Sequence, residues 1–188
     1  MSHYHYKIFK PYGYLSQFLN NQSRRRNKKL LGDLFDFAQG TMAIGRLDQD
    51  SEGLLLLTTD GKKSEAVRSK KVEKEYWVQV DGLIREEAIS EMISGVQISV
   101  NGETYTTLPC QARLLAEPPA LPVRSKPVRD NRHGPSSWIS ITLKEGKFRQ
   151  VRKMTAAVGY PTLRLVRVRI GNHHLGNMQP GEVAAITL

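Results

Sequence analysis

Hydrophobic residues along this chain occur mostly in short runs, which either alternate with polar residues or are continuous. Runs of roughly four to eight residues rich in β-branched, aromatic and aliphatic side chains, and closed by turn-forming residues, predict β-strands. The chain contains no internal repeat. The many short strand-like runs indicate a fold built on a β-sheet. The predicted strands are residues 4–9, 42–47, 53–58, 74–80, 97–100, 104–107, 111–115, 137–143 and 166–170.

Apolar residues at helical spacing are confined to a few segments. Asp60 is placed to cap one of the predicted helices, and Gly159 is placed to end another. Because helices are few and irregularly placed among many strands, the pattern predicts an α+β fold with a largely antiparallel sheet. The predicted helices are residues 30–35, 60–68, 85–94 and 148–158.

Two segments show no apolar period and are predicted to be loops. Residues 17–29 are polar and basic, and residues 116–136 contain five prolines. Loops as long as the second are usually functional or disordered. With 188 residues, the chain fits a single domain over residues 1–188, with at most two lobes.

Positive charge is in clear excess. The chain has 28 Lys and Arg against 18 Asp and Glu, a formal net charge of +10. Such an excess is typical of proteins that bind a polyanion, most often nucleic acid, although an ordinary cationic surface is the alternative. Both basic loops are therefore predicted to contact nucleic-acid phosphates. The residues are Arg24, Arg25, Arg26, Lys28 and Lys29 in the first loop, and Arg124, Lys126, Arg129 and Arg132 in the second.

Cysteine content and hydropathy restrict where the protein works. A single cysteine, Cys110, excludes an internal disulfide framework and suits a reducing compartment. No apolar run approaches the ~18 residues that a membrane helix needs. We therefore expect a soluble cytoplasmic protein that makes no membrane contact. Two histidine pairs lack cysteine or carboxylate companions at zinc-binding spacing, so no metal site is predicted; they are His3 with His5 and His173 with His174.

Three carboxylates, Asp48, Asp50 and Glu52, stand at alternate positions before Gly53. The spacing fits the first half of a calcium-binding EF-hand loop. However, Thr59 occupies the position where such a loop needs a bidentate glutamate, and strands rather than helices flank the segment. Calcium binding is therefore disfavoured.

A polar turn explains two of these carboxylates without assigning them a catalytic or metal-binding role. Asp50, Ser51 and Glu52 would build a polar turn, and Gly53 can adopt backbone angles that other residues avoid. Asp48 differs because it lies between two apolar strands, where a carboxylate is expected to be partly buried. A buried carboxylate needs a cationic partner to remain ionised, and the basic helix 148–158 can supply one.

Four stretches of the sequence resemble a known family. They are HYKIFKPYGYLSQF (5–18), GRLDQDSEGLLLLTTDG (45–61), KEYWVQV (74–80) and EGKFRQVRKMTAAVGYPTLRLVR (145–167). Together they resemble the RsuA-type ribosomal RNA pseudouridine synthases, most of all the RluE branch, over nearly the whole chain. The resemblance implies the pseudouridine synthase catalytic fold, with helices and loops around a central cleft. Many relatives carry a small RNA-binding domain first; here the match begins at residue 4, so no separate N-terminal domain is expected.

The resemblance also implies a reaction. The N1–C1′ bond of a uridine breaks, the uracil turns, and it rejoins the ribose through C5 without a cofactor. The expected substrate is 23S ribosomal RNA of the large subunit, free or within an assembling ribosomal particle. A monomer is the default expectation for the enzyme.

Individual roles follow from the resemblance. Asp48 is expected to be the catalytic carboxylate, which attacks C1′ or the base, or assists departure of the uracil. Arg152 is expected to pair with it, and Tyr76 to stack on the uracil and help to remove the C5 proton. Leu163 is expected beneath the target base, and Arg46 against the disrupted RNA. Further substrate contacts are expected from Lys74, Arg149 and Lys153.

Alternative interpretations remain for some of these residues and for the function of the protein. Arg152 would also suit a phosphate contact, and Tyr76 and Leu163 would suit the core. An RNA-binding or ribosome-assembly protein that lost the chemistry is a second hypothesis, which the presence of Asp48, Tyr76 and Arg152 disfavours. An enzyme of free nucleosides is a third, but a net charge of +10 is poorly explained by a small substrate.

Overall fold

The computed structural model describes residues 2–19, 27–69 and 71–188. Most of this part of the chain is organised around β-strands. The α-helices are α1 Gly61–Ser69, α2 Glu86–Ser94 and α3 Gln150–Ala157. The strands are β1 His5–Lys10, β2 Met42–Ile44, β3 Glu52–Thr58, β4 Lys74–Asp81, β5 Gln97–Val100, β6 Glu103–Thr106, β7 Gln111–Leu115, β8 Ser136–Leu143, β9 Thr162–Ile170, β10 His173–His174 and β11 Val183–Ala185.

Nine strands form one sheet with the main order β11-β1-β3-β9-β4-β8-β7, while β2 lies beside β3 and β10 beside β9. Neighbouring strands are antiparallel, except that β3 and β9 run parallel, with Glu52 opposite Val166 and Gly53 opposite Arg167. Strands β5 and β6 form a separate antiparallel hairpin. The predicted α+β fold with a largely antiparallel sheet is confirmed.

Strand β3 is the apolar centre of the sheet. All seven of its residues are buried, because both faces of the strand are covered. Leu54 and Leu56 pack in one hydrophobic cluster with Phe9 and Val166. Leu55 and Leu57 point the other way, as alternation along a strand requires, and pack in a second cluster. Burial of each leucine contributes about 1.5–3 kcal/mol, so β3 provides a stable frame for the segment that precedes it.

Some element boundaries differ from the predicted ones. Segment 30–35 forms only a short 3-10 turn, Leu31–Asp33. Helix α3 begins at Gln150 rather than at residue 148, because Arg149 has a left-handed backbone with φ of 52° that an α-helix cannot include. Strand β9 begins at Thr162, four residues before the predicted start. The missed part, residues 162–165, contains one cation, Arg164, within its apolar pattern.

The proline-rich loop is attached to the sheet. Arg164 of β9 donates from Nη2 to the carbonyl of Pro122 at 2.7 Å, and Arg129 pairs with Asp81 at the end of β4. Leu121 packs against the cluster around Leu54. The loop is therefore anchored at several points.

No helix within the described ranges is long and apolar enough to cross a membrane.

Candidate active site

A cavity of about 370 Å³ opens beside the loop that joins β2 to β3. Its lining also includes the C-terminal end of α1, parts of β4 and β9, and the residues around the start of α3. Asp48, Tyr76 and Arg152, which the sequence assigned to catalysis, all line this cavity. The fold thus brings together three side chains that are far apart in the sequence.

The segment that carries Asp48 is held by buried hydrogen bonds. The hydroxyl of Ser16 accepts from the Leu47 amide at 2.9 Å and donates to the Leu47 carbonyl at 2.7 Å. On the other side, the Ser51 amide donates to the Asp48 carbonyl at 3.0 Å and closes a turn. The backbone of Asp48 is therefore fixed on both sides, and its half-buried side chain lies at the cavity.

Two arginines from the start of α3 face the carboxylates. Arg149 forms a bidentate pair with Asp50, at 2.9 Å for both bonds, and its Nη1 lies 3.4 Å from Asp48 Oδ2. These hydrogen bonds from Arg149 lower the pKa of Asp50. Arg152 donates to the Asp50 carbonyl at 2.9 Å and to the Ser51 hydroxyl at 3.0 Å. The turn interpretation of Asp50 was therefore incomplete, because its side chain also orients Arg149.

The contact between Arg152 and Asp48 is loose. Arg152 Nε lies 4.0 Å from Asp48 Oδ2, and this buried nitrogen has no hydrogen-bond partner among the described residues. Burial lowers the pKa of Arg152. Contacts between polar groups in a site without substrate are often long, and the 4.0 Å separation of these two atoms is of that kind.

Arg149 adopts an uncommon backbone conformation. Its φ of 52° lies in the left-handed region, which costs a non-glycine residue about 1–3 kcal/mol. The surrounding structure compensates, since the bidentate pair with Asp50 holds the side chain. This conformation starts α3 and directs the guanidinium of Arg149 at the carboxylates.

The sheet forms the floor of the cavity. Tyr76 of β4 lies opposite Arg167 of β9, and both line the cavity together with Lys74 and Leu165. Leu163, the apolar residue assigned to the site, does not line it. The pairing of β4 with β9 shifts register at this point, because a bulge leaves Leu163 unpaired. Leu165 of the same strand lines the cavity instead.

Of the other residues predicted to contact the substrate, some line the cavity and one does not. Arg46 and Arg149 line the cavity. Lys153 does not: its Nζ donates to the Ser99 carbonyl at 2.7 Å and lies 5.4 Å from the ring centre of Phe148. Lys153 therefore attaches α3 to the β5–β6 hairpin rather than facing the cavity.

A sequence model of the family described as RNA pseudouridylate synthase matches residues 4–157. The chain belongs to this family. The resemblance found in the four sequence stretches is thereby confirmed. This enzyme is an isomerase of the pseudouridine synthase class.

Individual relatives support the same assignment. Ribosomal large subunit pseudouridine synthase E of Vibrio parahaemolyticus serotype O3:K6 (strain RIMD 2210633) is 41% identical over 181 residues, which cover 95% of this chain and 72% of that protein. The protein of the same name from Xanthomonas axonopodis pv. citri (strain 306) is 43% identical over 173 residues, covering 91% and 87%. These matches confirm the similarity to the RluE branch.

A solved structure described as a crystal structure of pseudouridylate synthase is similar in fold. The TM-score is 0.77 with 26% sequence identity, over 99% of this chain and 71% of the other. The predicted pseudouridine synthase fold is confirmed by this match.

The first basic loop of this pseudouridine synthase is only partly described. Lys28 is half-buried and Lys29 is exposed, with Lys29 Nζ 5.5 Å from the ring centre of Tyr14. Their predicted phosphate contacts remain predictions. The other cations of the loop lie outside the described residues: Arg24, Arg25 and Arg26.

The second basic loop uses three of its four predicted cations internally. The Arg124 guanidinium lies 4.5 Å from the ring centre of Tyr12, and Arg129 is bound to Asp81. As placed, these two arginines stabilise the loop, so phosphate contact would require them to leave their partners. Arg132 is exposed but is paired with Asp130 at 2.7 Å, whereas Lys126 is exposed.

A buried ion pair, Glu52 with Arg164, was not predicted from the sequence. Glu52, interpreted as a turn residue, is the first residue of β3 and only 2% exposed. Arg164 of β9 binds it through two hydrogen bonds of 2.9 Å. The interpretation of Glu52 as a turn residue was wrong, because β3 begins one residue earlier than its apolar run. Cations within the apolar segment TLRLVRVRI were the available signal for this pair and for buried Arg167.

Proposed function

We propose that this protein converts a specific uridine of large-subunit ribosomal RNA into pseudouridine, with Asp48 as the catalytic carboxylate. The observation that carries the proposal is the position of Asp48. It lies at the cavity with Tyr76 and opposite two arginines. The relatives named ribosomal large subunit pseudouridine synthase E support the choice of RNA.

Asp48 acts on the ribose or the base of the target nucleotide. It attacks C1′ or the uracil ring, or assists cleavage of the N1–C1′ bond, and each route requires an ionised carboxylate. Arg149 and Arg152 balance that charge from 3.4 and 4.0 Å. The walls of the cavity limit the access of water to the detached uracil until C5 has joined C1′.

The target uridine must leave the RNA stack before it can react. Flipping a nucleotide costs a few kcal/mol, less when it is already unpaired. Tyr76 stacks on the flipped uracil. Arg46, exposed at the edge of the cavity, contacts the disrupted RNA. Leu165 supports the base from below.

The wider setting is also part of the proposal. A net charge of +10 suits a large polyanion. We infer that the substrate is 23S ribosomal RNA, free or within an assembling particle, and that the enzyme acts as a cytoplasmic monomer. Sedimentation of the enzyme alone tests the monomer, because a dimer would double the measured mass.

Release of tritium from RNA labelled at C5 of uridine tests the reaction. Large-subunit RNA and assembling particles from cells that lack the protein would be incubated with wild type, Asp48→Asn and Asp36→Asn. Asp36 is an exposed carboxylate outside the cavity and controls for the loss of one charge. We expect release by wild type and Asp36→Asn, and a rate lower by ~10³-fold or more for Asp48→Asn.

Two results would contradict the proposal in different ways. Comparable release by Asp48→Asn would retain the reaction but reject Asp48 as the catalytic residue. Absence of release by the wild type on every substrate, together with tight RNA binding, would favour a non-catalytic RNA-binding protein.

A further inference from the structure

Two cations in the cavity floor have no acidic partner. Arg167 is only 4% exposed, and its Nε donates to the Leu54 carbonyl at 2.8 Å. Its buried Nη2 has no hydrogen-bond partner in the described chain. Lys74 is half-buried, and burial, followed by the charge of Arg167, lowers its pKa. Among the described residues, neither side chain forms an ion pair with a carboxylate.

Strand pairing places these cations beside the proposed base-stacking residue. Arg167 is the cross-strand partner of Tyr76, and Lys74 precedes Tyr76 by two positions on β4, so that alternation returns it to the same face. All three residues line the cavity. A uracil stacked on Tyr76 would therefore lie next to both charges.

The cavity contains more positive charge than its own acids balance. Its described lining has nine Lys or Arg residues but only two carboxylates, Asp48 and Glu145. Asp48 faces the arginines of α3. Glu145 accepts hydrogen bonds from Tyr105, Gln150 and the Leu108 amide. Neither acid pairs with the floor cations, and burying an unpaired cation is unfavourable unless an anion joins it.

We propose that Lys74 and Arg167 form an anion subsite that stabilises the uracil ring while it is detached from the ribose. The subsite rests on the proposed function, since it acts on the same uridine. Phosphates are a less suitable occupant, because exposed cations such as Arg46 and Lys147 already surround the mouth, whereas Lys74 and Arg167 lie in the floor.

The charge balance of the reaction explains what the subsite does. When the N1–C1′ bond breaks, its electron pair remains on uracil and spreads to the O2 and O4 oxygens. Meanwhile C1′ is a cation or an ester of Asp48. After the ring turns, C5 bonds to C1′ and neutralises that cation or displaces the Asp48 carboxylate; the C5 proton then leaves and N1 gains a proton. Cations fixed in a water-poor floor stabilise the anion only while it exists, which accelerates the reaction more than it strengthens binding.

Measurement of rate and affinity separately tests the subsite. Single-turnover tritium release at saturating RNA would be compared with equilibrium binding for wild type, Lys74→Met, Lys74→Arg and Arg167→Lys. We expect Lys74→Met to lower the rate ~10²–10³-fold with affinity within about twofold of wild type. Lys74→Arg should recover most of the rate. Arg169→Met is the control, because Arg169 is a β9 cation bound to Glu73 and Glu75 outside the cavity lining.

An RNA with an abasic target nucleotide distinguishes binding of the uracil from binding of a backbone phosphate, because this RNA retains the phosphate and lacks the uracil. We expect wild type and Lys74→Met to bind it equally. Weaker binding by Lys74→Met to both RNAs with an unchanged rate would overturn the proposal in favour of a phosphate contact. An unchanged rate in both Lys74→Met and a folded Arg167→Lys would overturn it outright. If the wild type released no tritium, the proposed function itself would fail.

Discussion

Lys10 is a fully buried cation beneath the segment that supports Asp48. Its Nζ donates to the carbonyls of Pro11 and Tyr14 at 2.9 and 2.8 Å, which fixes the turn leading to Ser16. Burial lowers the pKa of Lys10 from 10.5 to about 7, although nearby carboxylates oppose the shift. A neutral amine still has two N–H groups, so both hydrogen bonds can persist after deprotonation.

The pKa of Lys10 predicts how stability depends on pH. Between about pH 7 and pH 10.5 the unfolded chain retains a proton on Lys10 that the folded protein has lost. The free energy of unfolding should therefore rise with pH in this window, by at most ~1.4 kcal/mol per pH unit. Urea unfolding of wild type and Lys10→Met would measure this dependence. The free energy of unfolding of the wild type, relative to that of Lys10→Met, should rise with pH across the window. A constant difference would contradict the assignment.

At the scale of elements, the Glu52–Arg164 pair joins the starts of β3 and β9. Both side chains are buried, at 2% and 9% exposure, and Arg164 also holds the carbonyl of Pro122. This ion pair thus connects three parts of the molecule: strand β3, strand β9 and the proline-rich loop. Strand β3 follows Asp48, and strand β9 carries Arg167. Its stabilising role depends on both partners being present, since a lone buried charge is strongly unfavourable.

Glu52→Gln tests this connection. The substitution leaves Arg164 buried without a counter-charge, so the free energy of unfolding should fall by about 3–5 kcal/mol. Limited proteolysis should also cleave the loop around Pro122 faster. The double variant Glu52→Gln/Arg164→Met is the control and should recover part of the loss in a urea titration. If Glu52→Gln remained within about 1 kcal/mol of wild type, the ion pair would not be a major stabilising contact.

At the scale of the whole molecule, charge is concentrated where RNA would enter. Exposed cations surround the mouth of the cavity, while its floor contains the buried ones. Contacts between cations and phosphates release counterions, so RNA binding should weaken as salt rises, by ~0.7 units of log–log slope for each contact with single-stranded RNA. The exposed mouth cations include Arg46, Lys144 and Lys147.

Replacing Arg46, Lys144 and Lys147 with glutamine should reduce the slope of log affinity against log salt concentration by ~2 units. It should also weaken RNA binding at low salt. A filter-binding titration across salt concentrations gives both values. A matched triple substitution of exposed cations outside the cavity lining should leave the slope unchanged: Lys62, Arg85 and Arg113. Equal slopes for the two triple variants would place the RNA entry elsewhere.

Local patterns predicted much of this molecule. The apolar run of β3 indicated a strand, and the position of Asp48 between two strands indicated a partly buried carboxylate paired with the basic helix. By contrast, the parallel pairing of Glu52 with Val166 joins residues far apart in the sequence, and no local pattern encodes that register. Arg164 and Arg167 were missed for the same reason, since a cation in a strand resembles a surface residue until its partner is known.

The pairing of β3 with β9 also has a consequence for synthesis of the protein. Gly53 has φ of 108°, and a Cβ there would lie 2.3 Å from the Arg167 carbonyl, so the two strands meet at a point that admits only glycine. A ribosome that has made Asp48 must still add more than a hundred residues before β9 emerges. The cavity floor is therefore incomplete until β9 has been synthesised, and a shorter nascent chain lacks Leu165 and Arg167.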